Sequence, residues 1–117
     1  MAFCSLSIVV FPDSPKAWTA RCLEHDLAAR GTTADAAVDT LVKIADAHIA
    51  FDIRHGRKPL SAFVSAPQLY WNAFSGAQKL RPVELRRPES NRTVQCLIGM
   101  VAQHPVVARY DRRTHIA

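Results

Sequence analysis

Residues 31–56 constrain this chain most, because their pattern fits one long amphipathic helix with a marked start and a marked stop. Gly31 ends whatever precedes it, and Thr32 or Thr33 supplies a hydroxyl for the unpaired N–H groups of a first helical turn. At about 100° per residue, Val38, Leu41, Val42, Ala45, Ile49 and Ile53 fall on one face, while Asp39, Lys43, Asp46 and Arg54 cluster away from it. Gly56 suits the left-handed position that closes a helix. The pattern predicts a helix over about residues 33–54, long enough to lie across a small sheet. Ile44 and Phe51 fall on its flank. They are expected to pack beneath a downstream aromatic segment, with a subunit contact as the other use for them.

Strand patterns lie ahead of the helix. Leu6, Ile8 and Val10 alternate with Ser5 and Ser7, the period of a strand with one face on a core. Pro12-Asp13-Ser14-Pro15 interrupts it with turn chemistry. Trp18, Ala20 and Cys22 then alternate with Thr19 and Arg21, which predicts an antiparallel hairpin. Glu24-His25-Asp26 reads as a corner and Leu27 to Arg30 as a third short strand.

Beyond the helix the signals are mixed. Residues 57–65 read as a connection, and Pro67 opens a second, shorter helix to about residue 80. That helix carries Tyr70, Trp71 and Phe74, either as a cover for the core or as an exposed binding patch. Pro82 to Arg87 has the length of a short strand. In residues 93–102, Val94, Leu97, Ile98 and Val101 match a helix, whereas Val94, Cys96, Ile98 and Met100 match one face of a strand. Ser90 or Asn91 as a cap tips this stretch toward helix. The fold expected is therefore α+β: a small antiparallel three-stranded sheet packed on one long helix, with a second shorter helix. Residues 1–81 form this domain, and 82–117 are a basic C-terminal extension.

Charge divides the chain in two. Residues 1–53 carry four basic and seven acidic side chains, residues 54–117 eleven basic and three acidic, for a net +5. This gives either two electrostatic faces or a lopsided solvated surface. Arg86, Arg87, Arg92, Arg109, Arg112 and Arg113 are the candidates for phosphate contact, which yields affinity without sequence reading. Residues 82–117 do not show two clean helices around a short glycine-containing turn, as a helix-turn-helix requires. Three widely spaced cysteines (Cys4, Cys22, Cys96) do not make a disulfide framework and fit reduced thiols in the cytoplasm. No apolar stretch approaches the ~20 residues of a membrane span.

Catalytic chemistry finds little footing. Cys22, His25 and Asp26 are close in sequence, but Cys22 and His25 would face opposite sides of a strand, and nucleophilic catalysis requires thiol and imidazole in hydrogen-bond reach. His48 and His55 lie two helical turns apart, about 10.5 Å of rise, too far for one metal ion. Only four glycines occur and none forms a phosphate-cradling loop. The expectation is a protein that is not an enzyme and holds no cofactor or metal.

Taken together, the hairpin, the Cys22-Leu23 corner and the Gly31 stretch resemble the HicB-like antitoxin family over roughly residues 5–53. That family opens its helix with a signature close to Gly-Asp-Thr-x-Glu-Glu-Ala after three strands. Gly31, Thr33 and Ala37 stand in the matching places, and Asp35 stands in for the first acid. Thr32 and Ala36 depart from the pattern, so Thr33 caps without a reciprocal glutamate, a loss of about 1 kcal/mol or less.

The resemblance implies a partial ribonuclease-H-like fold that binds and masks a small basic ribonuclease toxin, self-associates, and carries a C-terminal DNA-binding element. Asp13, Glu24 and Asp26 are the loop acids placed to meet such a partner, or else they are solvated charges at hairpin ends. The other function open to the chain is a small nucleic-acid-binding regulator that uses the basic C-terminal half.

Overall fold

The pairing of the first strand on both of its edges organises the molecule. In a computed structural model, residues 3–77, 80–87 and 92–106 are described. The elements in chain order are β1 (Phe3–Ser14), β2 (Ala17–Cys22), β3 (Leu27–Gly31), α1 (Ala34–Arg54), α2 (Gln68–Ser75), β4 (Leu80–Arg87) and β5 (Arg92–Met100). They build one five-stranded sheet in the order β3-β2-β1-β5-β4. β1 runs antiparallel to β2 and parallel to β5, with Ile8 opposite both Cys22 and Ile98.

Both faces of β1 are buried. Leu6, Ile8 and Val10 join Ala20, Cys22, Ala29, Val94, Cys96 and Ile98 beneath the inner stripe of α1, which is made of Ala37, Val38, Leu41, Val42, Ala45 and Ile49. Val9 and Phe11 point the other way and pack with Leu23, Ala66 and Tyr70 of the α2 layer. A strand buried on both faces and paired on both edges carries a continuous apolar run, here Ile8-Val9-Val10-Phe11. The aromatics of α2 cover this second face. The Phe11 and Tyr70 rings stack at 6.0 Å, and the Arg21 guanidinium lies 4.2 Å from the Tyr70 ring centre.

Two glycines fix the ends of α1. A Cβ on Gly31 would sit 2.6 Å from the Ala37 nitrogen and 2.9 Å from the Ala36 carbonyl carbon, so the helix start closes onto the strand end only over a bare backbone. Thr33 caps, its Oγ1 accepting from the Ala36 N–H at 3.0 Å. At the far end Gly56 has φ +68°, the Arg57 N–H donates to the Asp52 carbonyl and the Gly56 N–H to that of Ile53, the paired bonds of a left-handed cap. Leu60 also has a positive φ, 61°, and its side chain is buried. The buried Asp52 carboxylate holds it by accepting the Leu60 N–H at 2.8 Å.

The expected three-stranded antiparallel sheet is wrong: the sheet has five strands and is mixed. The error lies in residues 93–102, which as far as Met100 belong to β5 and not to a helix. Their apolar residues fit both periods, and a long-range interaction chooses between them. Without β5, the edge of β1 would be left open beside an apolar core; with it, Val94, Cys96 and Ile98 complete the α1 side of that core. The boundary drawn at residue 81 falls inside β4. Ile53, placed by its angle on the buried face, is half exposed in the last turn of α1, while Asp46 and Asp52 are buried. Ile44 packs on the core, but Phe51 stays exposed against His55. The second helix stops at Ser75 rather than near residue 80, with Gly76 as its cap.

Gly31→Ala should destabilise the protein by about 1–3 kcal/mol, because the new methyl meets backbone that cannot rotate away; urea unfolding measures it. Asp52→Ala leaves the buried Leu60 N–H without its acceptor and should lower stability by roughly 1–3 kcal/mol in the same assay.

Candidate functional site

The three loop acids do not share a surface. Asp13 stands where β1 turns into β2, while Glu24 and Asp26 stand at the β2–β3 turn, the full length of β2 away, about 20 Å. Each is engaged by its own chain. Asp13 accepts from Thr19 Oγ1 at 3.2 Å, faces Arg30 Nε at 3.2 Å and lies 3.6 Å from His104 Nε2. Asp26 receives both Nε and Nη2 of Arg21 at 2.8 Å.

Glu24 replaces a piece of backbone. The Leu23 N–H donates to the Ser7 carbonyl at 2.9 Å, and the next ladder position is filled by the Glu24 carboxylate, which accepts the Ser7 N–H at 2.7 Å. One carboxylate thus finishes the β1–β2 ladder after β2 has turned away. A donor left unpaired there would be costly, so this acid has a structural reason to exist.

Cys22, His25 and Asp26 have separate surroundings. Cys22 is fully buried toward α1, and its Sγ lies 3.9 Å from Glu24 Oε1. The buried Nδ1 of His25 has no hydrogen-bond partner among the described residues, and Asp26 is held by Arg21. Among the described residues, no group of three or more His, Cys, Asp or Glu side chains is placed to hold a metal ion. No helix among them is long and apolar enough to cross a membrane.

Of the candidate arginines, Arg86 is exposed on β4. Arg87 and Arg92 are backbone partners at the end of the β4–β5 ladder where the chain passes from one strand to the other. Arg109, Arg112 and Arg113 lie outside the described residues. Sequence reasoning passed over Arg81, which reaches Asp35 in the first turn of α1 at 3.2 Å. That bridge spans a cleft of about 1000 Å³ at the carboxyl ends of β1 and β5, lined by Trp18, Ile98 and Met100 among others. The two charges are 46 residues apart in the chain, so no local pattern announces them. A second groove, about 570 Å³, opens on the opposite face of the sheet where α2 does not reach, with Ser5, Ser7, Glu84 and Gln95 along it.

No family model matches this chain, and neither a curated protein nor a solved structure is similar to it.

Glu24→Ala should cost about 1–2 kcal/mol of stability by leaving the Ser7 N–H unpaired, whereas Glu24→Gln, which keeps an acceptor, should cost clearly less. Chemical denaturation of the two variants beside the parent separates a structural carboxylate from a merely solvated one.

Proposed function

We propose that this chain is an interaction protein of the HicB-like antitoxin type, whose N-terminal half engages and masks a small basic ribonuclease in the cytoplasm. The observation that carries this reading is the uninterrupted β1–β2–β3–α1 unit with Gly31, Thr33 and Ala37 at the junction of sheet and helix. In that unit Gly31 permits contact, Thr33 caps, and Ala37 starts the buried stripe. These are the three positions at which the sequence agrees with the family signature.

Electrostatics add support. Two of the seven acids of residues 1–53, Asp46 and Asp52, are buried, while Asp35 and Asp39 keep exposed side chains on the first turns of α1, paired with Arg81 and Lys43. An acidic surface accelerates encounter with a basic RNA-binding protein and fixes its orientation more than it adds affinity.

Co-expression of this chain with the product of the neighbouring reading frame tests the proposal. The expected outcome is a short basic protein that co-purifies at fixed stoichiometry, arrests growth when expressed alone and is silenced by this chain. Binding should weaken as salt rises. A neighbouring product that is not short and basic, or one that fails to bind at low salt, overturns the proposal. Salt-sensitive, sequence-indifferent binding to duplex DNA without a protein partner would replace it with a nucleic-acid regulator.

A further inference from the structure

The two edges of the sheet are built differently. Val101 N–H donates to the Val10 carbonyl, so β1 turns its even residues toward β5; Ser7, which bonds to Leu23 and Glu24, shows its odd residues turned toward β2. Carried through the register of each ladder, this alternation leaves Pro82, Glu84 and Arg86 of β4 facing outward, and Ala28 and Arg30 of β3 facing outward. On β4 the outward positions are a proline without an N–H and two charged residues, the means by which a sheet edge resists further pairing. β3 has no proline at its outward positions and carries a single charge there, Arg30, beside the small Ala28. Its sequence is Leu27-Ala28-Ala29-Arg30-Gly31, and among the described residues nothing bonds the outward N–H and C=O groups of Ala28 and Arg30. The edge is stopped only below, where Val64 accepts the Asp26 N–H at 2.7 Å.

We infer that β3 is a homodimer edge, at which a second copy of this chain adds its own β3 antiparallel to form one continuous ten-stranded sheet. A two-fold axis through Ala29 places Ala28 opposite Arg30 of the second copy, and Arg30 opposite Ala28. The two outward residues of each strand then satisfy one another in four hydrogen bonds, and the pairing stops before reaching Val64. Small side chains meet at the axis, Ala29 against Ala29.

Charge favours this partner. The edge begins at the acid Asp26 and ends at the base Arg30, whose side chain is 62% exposed. Antiparallel self-pairing sets each Arg30 one diagonal step from Asp26 of the other copy, within reach of a long side chain. Asp13, 3.2 Å from Arg30, offsets the approach of the two arginines to each other. One flank of α1 comes near the foot of the same edge through Phe63 and Val64. Ile44, His48 and Phe51 follow one another along α1 at spacings of four and three. Phe63 rests on His48 at 4.9 Å between ring centres, and the next residue, Val64, caps the foot of β3. This association depends on the edge of β3 alone and not on the toxin reading, so either can fail without the other.

Sedimentation equilibrium of the full chain tests it, with a dimer of twice the 13.0 kDa chain mass expected. Amide exchange on the same sample should show Ala28 and Arg30 protected at high concentration and exposed on dilution. Ala28→Arg sets like charges opposite each other twice and should raise the dimer Kd about ten-fold, while Ala28→Glu sets opposite charges and should lower it severalfold. Thermal melts of both variants report whether each still folds. A chain that is monomeric at all concentrations overturns the inference. So does a dimer in which the Ala28 and Arg30 amides exchange freely, or one whose Kd ignores both substitutions.

Discussion

Everything else in this fold depends on the parallel ladder between β1 and β5. It makes β1 an interior strand, and an interior strand has no face or edge to give to water. From that follow the apolar run at Ile8 to Phe11, a helix on each side of the sheet, and a connection that carries the chain from one side to the other. Residues 55–67 make that crossing, and their anchors are strong for a loop. Asp52 and the left-handed Gly56 hold the departure, Leu60 is driven into the core in a backbone conformation most leucines avoid, and Ala66 N–H bonds to Leu23 on arrival at 2.9 Å.

The acidic residues of the sheet ends show how charge can be plentiful yet locally committed. Asp13, Glu24 and Asp26 bind an arginine, a hydroxyl or a backbone amide of their own chain. Glu24 goes furthest, since its carboxylate stands in for a peptide group at the end of a ladder.

What could be read from the sequence was what is local. The span and both caps of α1 depend on residues within a few positions of one another, and they were legible, as were the first hairpin and the third strand. The second face of the sheet was legible too, but was overlooked: alternation of Leu6, Ile8 and Val10 drew attention away from Val9 and Phe11, whose interleaved apolar side chains mark burial on both sides. β5 was not legible from period alone, because Val94, Ile98 and the residues between them satisfy helix and strand equally, and only the vacant edge of β1 decides. Of the site, the identities of the loop acids were visible but not their partners. Arg21 with Asp26 lies within five residues; Ser7 with Glu24 and Arg81 with Asp35 do not.

The same ladder sets the timing of assembly. Phe3 pairs with Thr93 and Ile8 with Ile98, so the strand at the centre of the sheet acquires its second neighbour from residues about ninety positions later. During synthesis, four strands and two helices leave the ribosome before that neighbour exists, and β1 waits with one edge bare. Loop closure over such a distance is slow relative to hairpin and helix formation. The interval is a window in which the apolar run of β1 is open to other chains, and a chaperone or an early binding partner would act there.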